Sequence, residues 1–328
     1  MAGSTVIKYI NAMQPAGTDT IKLKRQLSRG LRVPAIAAPM FLISGPDLVL
    51  AACRAGVIGA FPAPNCRSIE QLDQWLSRIV EQRQEGDAPW AFNIIAHRSY
   101  ERLEPELEMI EKHQPPLVIT ALGSPRAVVD IVHGYGGAVI ADVNSLKFAR
   151  KAAAMGVDGL ALVCAGAGGH TGQLTPLAFV PEVRRFFDGL VIVGGGITSG
   201  GALLALEALG ADYGYVGTAF IAARESLASD GYRQMLVDCD ADDLCISSAV
   251  TGVPASWMRP SLEQAGIDAG SRRESPNFVN IDGDIKRWRD IWSAGQGVGG
   301  ILAEEPAAAI VERLETEYLA ARERILKT

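Results

Sequence analysis

One histidine and two glycine-rich segments contain the residue types in this chain that are best suited to chemistry. His170 is one of only four histidines and lies within 166-GAGGHTG-172. Histidine gains or loses a proton near neutral pH, so it can act as a general acid or base. The glycines lie in 194-GGGITSGG-201 and 216-VGTAF-220, where backbone N–H groups can approach an anion without obstruction by side chains.

The two glycine segments together favour a phosphate site. A single glycine-rich loop is as often a simple tight turn, but two of them follow consecutive apolar runs here, and Ser199 or Thr218 can add a hydroxyl group. Their spacing differs from the dinucleotide fingerprint GxGxxG, and no acidic residue follows a second strand at the distance which that motif requires. We therefore expect a phosphorylated ligand but not a Rossmann domain.

The elements that must position these residues alternate between strand and helix. Segments such as 145-SLKFARKAAAMG-156, with a serine cap and a glycine stop, predict helices. Eight short apolar runs between them predict buried parallel strands. These runs are 35-AIAAPM-40, 57-VIGAFP-62, 90-WAFNII-95, 117-LVITAL-122, 138-AVIADV-143, 159-GLALVCA-165, 190-LVIVGGG-196 and 213-YGYVGTAF-220. Eight strand-helix units predict a (β/α)8 TIM barrel, with an open doubly wound sheet as the alternative.

Three regions follow from this pattern. The barrel is predicted over residues 1–225, of which about the first 25 form an N-terminal arm. Residues 226–292 are richer in Asp and Arg and do not fit another strand-helix unit, so they predict a smaller accessory domain over the barrel mouth. Residues 293–328 predict a loop and a C-terminal helix that returns to the barrel wall.

A barrel of this kind would bring the candidate residues together. Its active site lies at the C-terminal ends of the strands, and a phosphate is commonly bound after strands seven and eight. His170 follows the sixth strand, so we expect it at the same mouth as a catalytic residue, the alternative being a surface histidine or a satisfied core histidine. His97 follows the third strand and is a weaker candidate for a substrate contact. His113, His133 and Cys164 are predicted to be structural.

Composition excludes several other functions. The net charge is -6, and the basic residues are scattered with few aromatic residues among them, which argues against nucleic acid as a partner. The five cysteines form no CxxC or Cys/His ligand spacing, so we expect reduced thiols and no metal site. No apolar run reaches the roughly 20 residues of a membrane span, and a soluble, cytoplasmic protein is expected.

Four segments resemble the nitronate monooxygenase family, formerly called 2-nitropropane dioxygenases. They are 38-APM-40, 166-GAGGHTG-172, 194-GGGITSGGALLALEALGADYGYVGTAF-220 and 294-AGQGVG-299. The resemblance covers most of residues 35–225 and resumes at the last of these segments. The family lies close to flavin-dependent enoyl-thioester reductases and NADH:quinone reductases built on the same barrel. The resemblance implies a barrel that binds FMN.

The resemblance also implies which residues contact FMN. Its phosphate would lie at Gly195, Gly196, Gly217 and Thr218, where the glycine segments already predict an anion. The other positions that match flavin contacts of the family are Pro39, Met40, Asn93, Asp142, Lys147, Ala165, Gly168, Gly169 and Gln296. Asn93 has an alternative interpretation, a buried side chain that is hydrogen-bonded to a neighbouring strand. His170 matches the catalytic histidine of the family.

The implied reaction is the oxidation of alkyl nitronates or nitroalkanes. In it the nitronate gives an electron to the flavin, and O2 completes the conversion to a carbonyl compound and nitrite. His170 would hold the anionic nitro group or remove the α-proton of a nitroalkane. The alternatives are an NAD(P)H-dependent quinone or enoyl-thioester reductase and, in a different class, a non-enzymatic barrel that binds a phosphorylated metabolite. The partners would be a small-molecule substrate and O2, and a homodimer is one candidate assembly.

Overall fold

The computed structural model describes residues 18–271 and 289–327. Most of the predicted N-terminal arm, residues 1–17, and residues 272–288 of the predicted accessory region lie outside the described residues. The described part contains eleven strands, and eight of them close into a parallel barrel in the order β1-β2-β3-β4-β5-β6-β8-β9. The strands are β1 (Ala35–Ala37), β2 (Ile58–Pro62), β3 (Trp90–Ile95), β4 (Leu117–Ala121), β5 (Ala138–Val143), β6 (Gly159–Val163), β7 (Gly169–His170), β8 (Leu190–Gly194), β9 (Tyr213–Val216), β10 (Leu244–Ser247) and β11 (Ala255–Met258).

Helices surround the barrel and connect its strands. The α-helices of the described ranges are α1 (Thr18–Leu27), α2 (Pro46–Ala55), α3 (Ile69–Gln82), α4 (Leu103–His113), α5 (Arg126–Gly134), α6 (Leu146–Ala153), α7 (Pro176–Arg184), α8 (Gly200–Leu209), α9 (Thr218–Ile221), α10 (Asp230–Asp238), α11 (Arg259–Gln264) and α12 (Ala307–Leu326). Short 3-10 turns lie at Ala63–Asn65, Ala241–Asp243 and Val298–Gly300. Among the helices of these ranges, none combines the length and the apolar character that crossing a lipid bilayer demands.

The (β/α)8 prediction is confirmed, and the open sheet is excluded. The barrel closes where β1 pairs with β9, with Ile36 opposite Tyr215. Five of the predicted strands (β1, β4, β6, β8 and β9) end earlier than expected, and the reason is clear for β8 and β9. β8 stops at Gly194 because Gly195 and Gly196 adopt positive φ angles of 130° and 68°, which extended strands do not contain. β9 stops at Val216 because Thr218 already begins α9.

Alternation along the strands divides each one into inward and outward positions. The inward side chains of the lower layers are apolar and fully buried, so the barrel is a packed core and not a pore. Ile140, for example, is buried in this core, and Asp142 is the next inward position of β5. Inward positions near the ends of β3, β6, β8 and β9 are Asn93, Val163, Gly194 and Tyr215, and all four line the cavity above the core. These residues form the upper surface of the barrel core.

The segment after β9 contacts the mouth of the barrel. β10 and β11 form an antiparallel pair, and β11 also pairs with β7, with Ala255 opposite His170. The final helix, α12, packs against α8 so closely that a Cβ on Gly200 would lie 1.9 Å from the carbonyl oxygen of Leu314. A glycine is therefore required at that crossing. The chain thus returns to the barrel wall at its C-terminal helix.

Candidate active site

A cavity of about 1170 Å³ opens at the C-terminal ends of the barrel strands. Its floor is the upper surface of the barrel core, and its walls are the loops that follow the strands. A pocket for one drug-sized ligand typically has a volume of about 300–1,000 Å³. This cavity therefore has room for a cofactor and a second ligand.

Most of the predicted site residues line this cavity. They are Pro39, Met40, Asn93, Asp142, Gly168, Gly169, His170, Gly195, Gly196, Gly217 and Thr218. Three predicted contacts do not line it. Ala165 lies behind the wall, where its N–H donates to the carbonyl oxygen of Leu174 at 2.8 Å. Gln296 lies behind the glycines, and a Cβ on Gly166 would come within 2.7 Å of its Oε1 atom.

Lys147 is the third of these residues. It is exposed on α6 and is absent from the cavity wall, whereas Lys151 lines the wall. The two lysines lie four residues apart, which is slightly more than one helical turn. Lys151 is therefore about 6 Å further along the same helix. The structure therefore places Lys151, and not the predicted Lys147, at the cavity wall.

The glycines after β8 and β9 leave open space at the cavity wall. A Cβ on Gly196 would meet nothing closer than Gln296 Oε1 at 4.0 Å, and one on Gly217 would meet Met40 Sδ at 3.7 Å. A side chain at either position would therefore project into the space where a phosphate is expected. The hydroxyl oxygen of Thr218 accepts a hydrogen bond from the N–H of Gly295 at 2.9 Å and can still donate its own proton.

Ser199 does not take the role that its position in the glycine segment predicted. Its side chain caps α8 by accepting a hydrogen bond from the N–H of Ala202 at 3.2 Å, and it does not line the cavity. A serine directly before a helix is a favoured cap because it satisfies a free N–H of the first turn. Thr218 is therefore the hydroxyl residue of this pair that reaches the mouth.

His170 is fixed by contacts on several sides. Its short strand pairs with β11, and a Cβ on Gly168 would lie 2.8 Å from the backbone nitrogen of Gly295. The N–H of Gln296 also donates to the carbonyl oxygen of Gly166 at 2.9 Å. Burial lowers the pKa of His170 below its usual value of 6.5. The imidazole is therefore mainly neutral at neutral pH and can accept a proton.

Asp142 and Tyr215 make the floor of the cavity polar. Asp142 Oδ1 and the hydroxyl of Tyr215 are buried without a hydrogen-bond partner among the described residues. Burial raises the pKa of Asp142 to about 7. Burial and the neighbouring charge of Asp142 raise the pKa of Tyr215 well above 10. Buried polar atoms are nearly always hydrogen-bonded, so these two atoms are available to bond a polar ligand group or a water molecule on the floor.

The position of Asn93 is compatible with both interpretations of this residue, a flavin contact and a buried side chain that is hydrogen-bonded to a neighbouring strand. Its amide nitrogen donates to the carbonyl oxygen of Ile119 on β4 at 3.1 Å, as expected for a buried side chain that joins two strands. The same residue also lines the cavity. A structural hydrogen bond and a place at the site thus occur together.

The remaining histidines and Cys164 lie where the sequence predicted. His113 and His133 bind Asp73 and Asp158 at 2.6 and 2.8 Å, and neither lines the cavity. His97 lines it, with its Nδ1 atom 2.7 Å from Ser99 Oγ. Cys164 is buried, and burial raises the pKa of its thiol to about 12, which makes it a poor nucleophile.

Asp142 offers a pH-dependent test of the floor. Its folded-state pKa of about 7 lies above the roughly 3.9 of an unfolded aspartate, so the folded chain binds this proton more tightly. The resulting stabilisation is present at low pH and is lost as the pH rises from about 4 to 7. We expect Asp142→Asn to gain stability relative to the unsubstituted protein as the pH rises from 5 to 8. Urea unfolding of flavin-free protein measures this difference, and a constant difference would contradict a buried, protonated carboxyl group.

Comparison with known proteins gives a consistent result. The family model described as nitronate monooxygenase matches residues 88–263. The nitronate monooxygenase of Paraburkholderia phytofirmans is 27% identical, and the alignment covers 88% of this chain and 93% of that protein. Among solved structures, a variant of FabK from Thermotoga maritima superposes with a TM-score of 0.77 at 25% identity, covering 93% of this chain and 98% of that one.

A nitroalkane oxidase from Streptomyces ansochromogenes shares the fold, with a TM-score of 0.75, 24% identity and coverage of 91% of this chain and 99% of that one. The family match spans more than half of the chain and includes the loop of His170. The open glycine positions and the polar floor fit a flavin with its phosphate at one wall. The chain therefore belongs to the nitronate monooxygenase family and is a flavin-dependent oxidoreductase built on a (β/α)8 barrel.

Proposed function

We propose that this protein binds FMN and oxidises alkyl nitronates with O2 to a carbonyl compound and nitrite. The observation that carries the proposal is the position of His170, a partly buried imidazole whose pKa is lowered, at the wall of the cavity that contains the open glycines. The names of the related proteins, a nitronate monooxygenase and a nitroalkane oxidase, support the same chemistry.

FMN is favoured over FAD because the glycine segments provide for one phosphate. Gly195 and Gly196 follow β8, and Gly217 and Thr218 follow β9, so these two neighbouring loops would share one anion. The chain has no second nucleotide-binding motif. Pro39 and Met40, which follow β1 next to β9, would contact the same ligand from the adjacent wall.

His170 would move the proton of the reaction. A neutral imidazole can accept the α-proton of a nitroalkane, and the resulting imidazolium can pair with the anionic nitro group. Tyr215 would donate a hydrogen bond from the floor because its pKa lies well above 10, and Asp142, with a pKa of about 7, would donate one in its protonated form. A bound flavin supplies the electron-accepting chemistry, which none of these side chains can provide.

Two assays of the purified protein test this proposal. We expect a yellow protein that releases FMN on denaturation, identified by chromatography. With an alkyl nitronate in air, it should form nitrite and a carbonyl compound in equal amounts. A yellow protein that forms no nitrite would contradict the proposed reaction but not the cofactor. A colourless protein that takes up no FMN would favour the phosphometabolite-binding barrel.

One observation favours a second candidate, the NAD(P)H-dependent quinone or enoyl-thioester reductase. The cavity volume of about 1170 Å³ is larger than one drug-sized ligand needs, and a small nitronate would leave much of it unfilled. The same flavin and the same histidine would serve that reaction. The two candidates differ in the electron donor, so the rate of flavin reduction by each donor distinguishes them.

A further inference from the structure

We propose that the mouth of the cavity has a second anion site, formed by Arg98, Arg126 and Lys151, that binds the phosphate-bearing handle of an amphipathic ligand. The ligand has the chemistry of a coenzyme A thioester. The inference rests on the proposed function because it assigns the glycine side of the same cavity to the flavin.

The charges along the cavity wall differ from those of the chain as a whole. The chain carries a net charge of -6, yet Arg98, Arg126 and Lys151 all line the cavity with exposed side chains. The only carboxylate residue among the described lining residues is Asp142, on the floor. Arg126 lies 3.9 Å from Asp130 in an ion pair that is more than two-thirds exposed on both sides, which is a weak interaction. A cationic mouth on an anionic protein attracts anionic ligands.

The three cations belong to loops and helices that contact one another. Arg98 follows β3, Arg126 begins α5 after β4, and Lys151 lies on α6 after β5. A Cβ on Gly123 would lie 2.0 Å from the carbonyl oxygen of Ala96, so the loops after β3 and β4 touch. Ser124 Oγ lies 3.2 Å from Met155 Sδ, which joins the loop after β4 to the residues that follow α6. The cations therefore occupy one continuous side of the mouth.

Two of the three cations lie across the barrel from the glycines. In the closed order of eight strands, β3 and β4, which precede Arg98 and Arg126, stand four places away from β8 and β9 respectively, whereas β5, which precedes Lys151, stands two places from β8. A flavin phosphate bound after β8 and β9 would thus be at the opposite wall from Arg98 and Arg126. The N-terminal end of α5 also lines the cavity on the cationic side, and the positive end of its helix dipole would add to the attraction for an anion.

An apolar wall continues from the cationic side into the cavity. Leu122 and Phe148 both line it and are 45% and 51% exposed, so together they present an apolar surface at the mouth. Leu122 adopts a positive φ angle of 57°, a backbone conformation that is strained for a branched side chain. Such strain often accompanies function. A ligand with an apolar chain on this wall and phosphate groups at the three cations matches both features.

Titration calorimetry of the FMN-loaded protein tests this inference with four probes. Octanoyl-coenzyme A carries both the apolar chain and the phosphates, whereas octanoyl-pantetheine keeps the chain and lacks the phosphates. Octanoate keeps the chain but has a carboxylate as its only anionic group. Coenzyme A keeps the phosphates and lacks the chain. The variants are Arg98→Ala/Lys151→Ala and, as a control, Arg67→Ala. Arg67 is an exposed arginine after β2 at the same end of the barrel, and it does not line the cavity.

We expect octanoyl-coenzyme A to bind at least tenfold more tightly than octanoyl-pantetheine, which corresponds to about 1.4 kcal/mol. The double variant should lose this difference, Arg67→Ala should keep it, and added salt should reduce it. Equal affinities for the two thioesters, an equal loss in Arg67→Ala, or the absence of binding would overturn the inference. Octanoate binding as tightly as octanoyl-coenzyme A would also overturn it, because a carboxylate would then suffice. Flavin reduction by an alkyl nitronate in the same samples tests the proposed function separately.

Discussion

Replacing His170 by asparagine is expected to leave FMN bound and to lower the turnover of a neutral nitroalkane by roughly 10²-fold or more, the usual effect of losing a general base. Asparagine can keep a hydrogen bond to an anionic nitro group but cannot accept the α-proton. A nitronate is already deprotonated, so its oxidation should suffer much less. Steady-state rates with a nitroalkane and with its nitronate measure the contrast.

His133→Asn is the matched control for this substitution. His133 lies outside the cavity and binds Asp158, so its loss should leave both rates nearly unchanged. Equal losses on both substrates in His170→Asn would mean that His170 acts by electrostatics or positioning alone. Full activity, or loss of FMN, would mean that the histidine has a structural role.

Replacing Gly217 by valine is expected to abolish tight binding of FMN without unfolding the protein. The backbone at Gly217 has a negative φ angle of -102°, which any residue can adopt, and a Cβ there would have its nearest contact at 3.7 Å. The added side chain would therefore fit the fold but occupy the expected phosphate position. We expect the dissociation constant for FMN to rise at least 10²-fold, or about 2.7 kcal/mol. Fluorescence titration of the flavin-free protein measures it.

Gly134→Val provides the control for Gly217→Val. Gly134 ends α5, has a negative φ angle and would place its Cβ in open space, away from the mouth. The Gly134→Val variant should bind FMN as tightly as the unsubstituted protein does. Both variants should keep the thermal midpoint of the flavin-free protein within about 4 °C, the shift expected for a change of about 1 kcal/mol or less. Normal FMN affinity in Gly217→Val would argue against a phosphate at this wall.

Local patterns were enough to predict the barrel. Apolar runs that end in Gly or Pro mark buried strands, and eight of them with helices between leave few topologies. The positions of Gly196, Gly217 and His170 followed from the rule that barrel sites lie at the strand ends. Strand ends were less predictable, because Gly195 and Gly196 continue the apolar run in sequence while their backbone leaves the sheet.

The rest of the site depends on contacts between residues far apart in the chain. The pairing of β7 with β11 joins His170 to Ala255, and no periodic pattern in a two-residue strand could predict it. Tyr215 could have been found, since it continues the inward alternation of β9 after Tyr213. Lys147 and Lys151 lie on nearly the same face of α6, so which of them reaches the cavity depends on how the helix packs beside the barrel mouth, and tertiary packing determines that.

Anaerobic stopped-flow reduction of the FMN-loaded protein tests the central claim most directly. The protein is mixed in separate experiments with an alkyl nitronate, NADH and NADPH, and the loss of flavin absorbance is followed in time. The proposed function predicts rapid reduction by the nitronate and only slow reduction by either nicotinamide. Rapid reduction by a nicotinamide with none by the nitronate would contradict it and would identify the protein as a reductase.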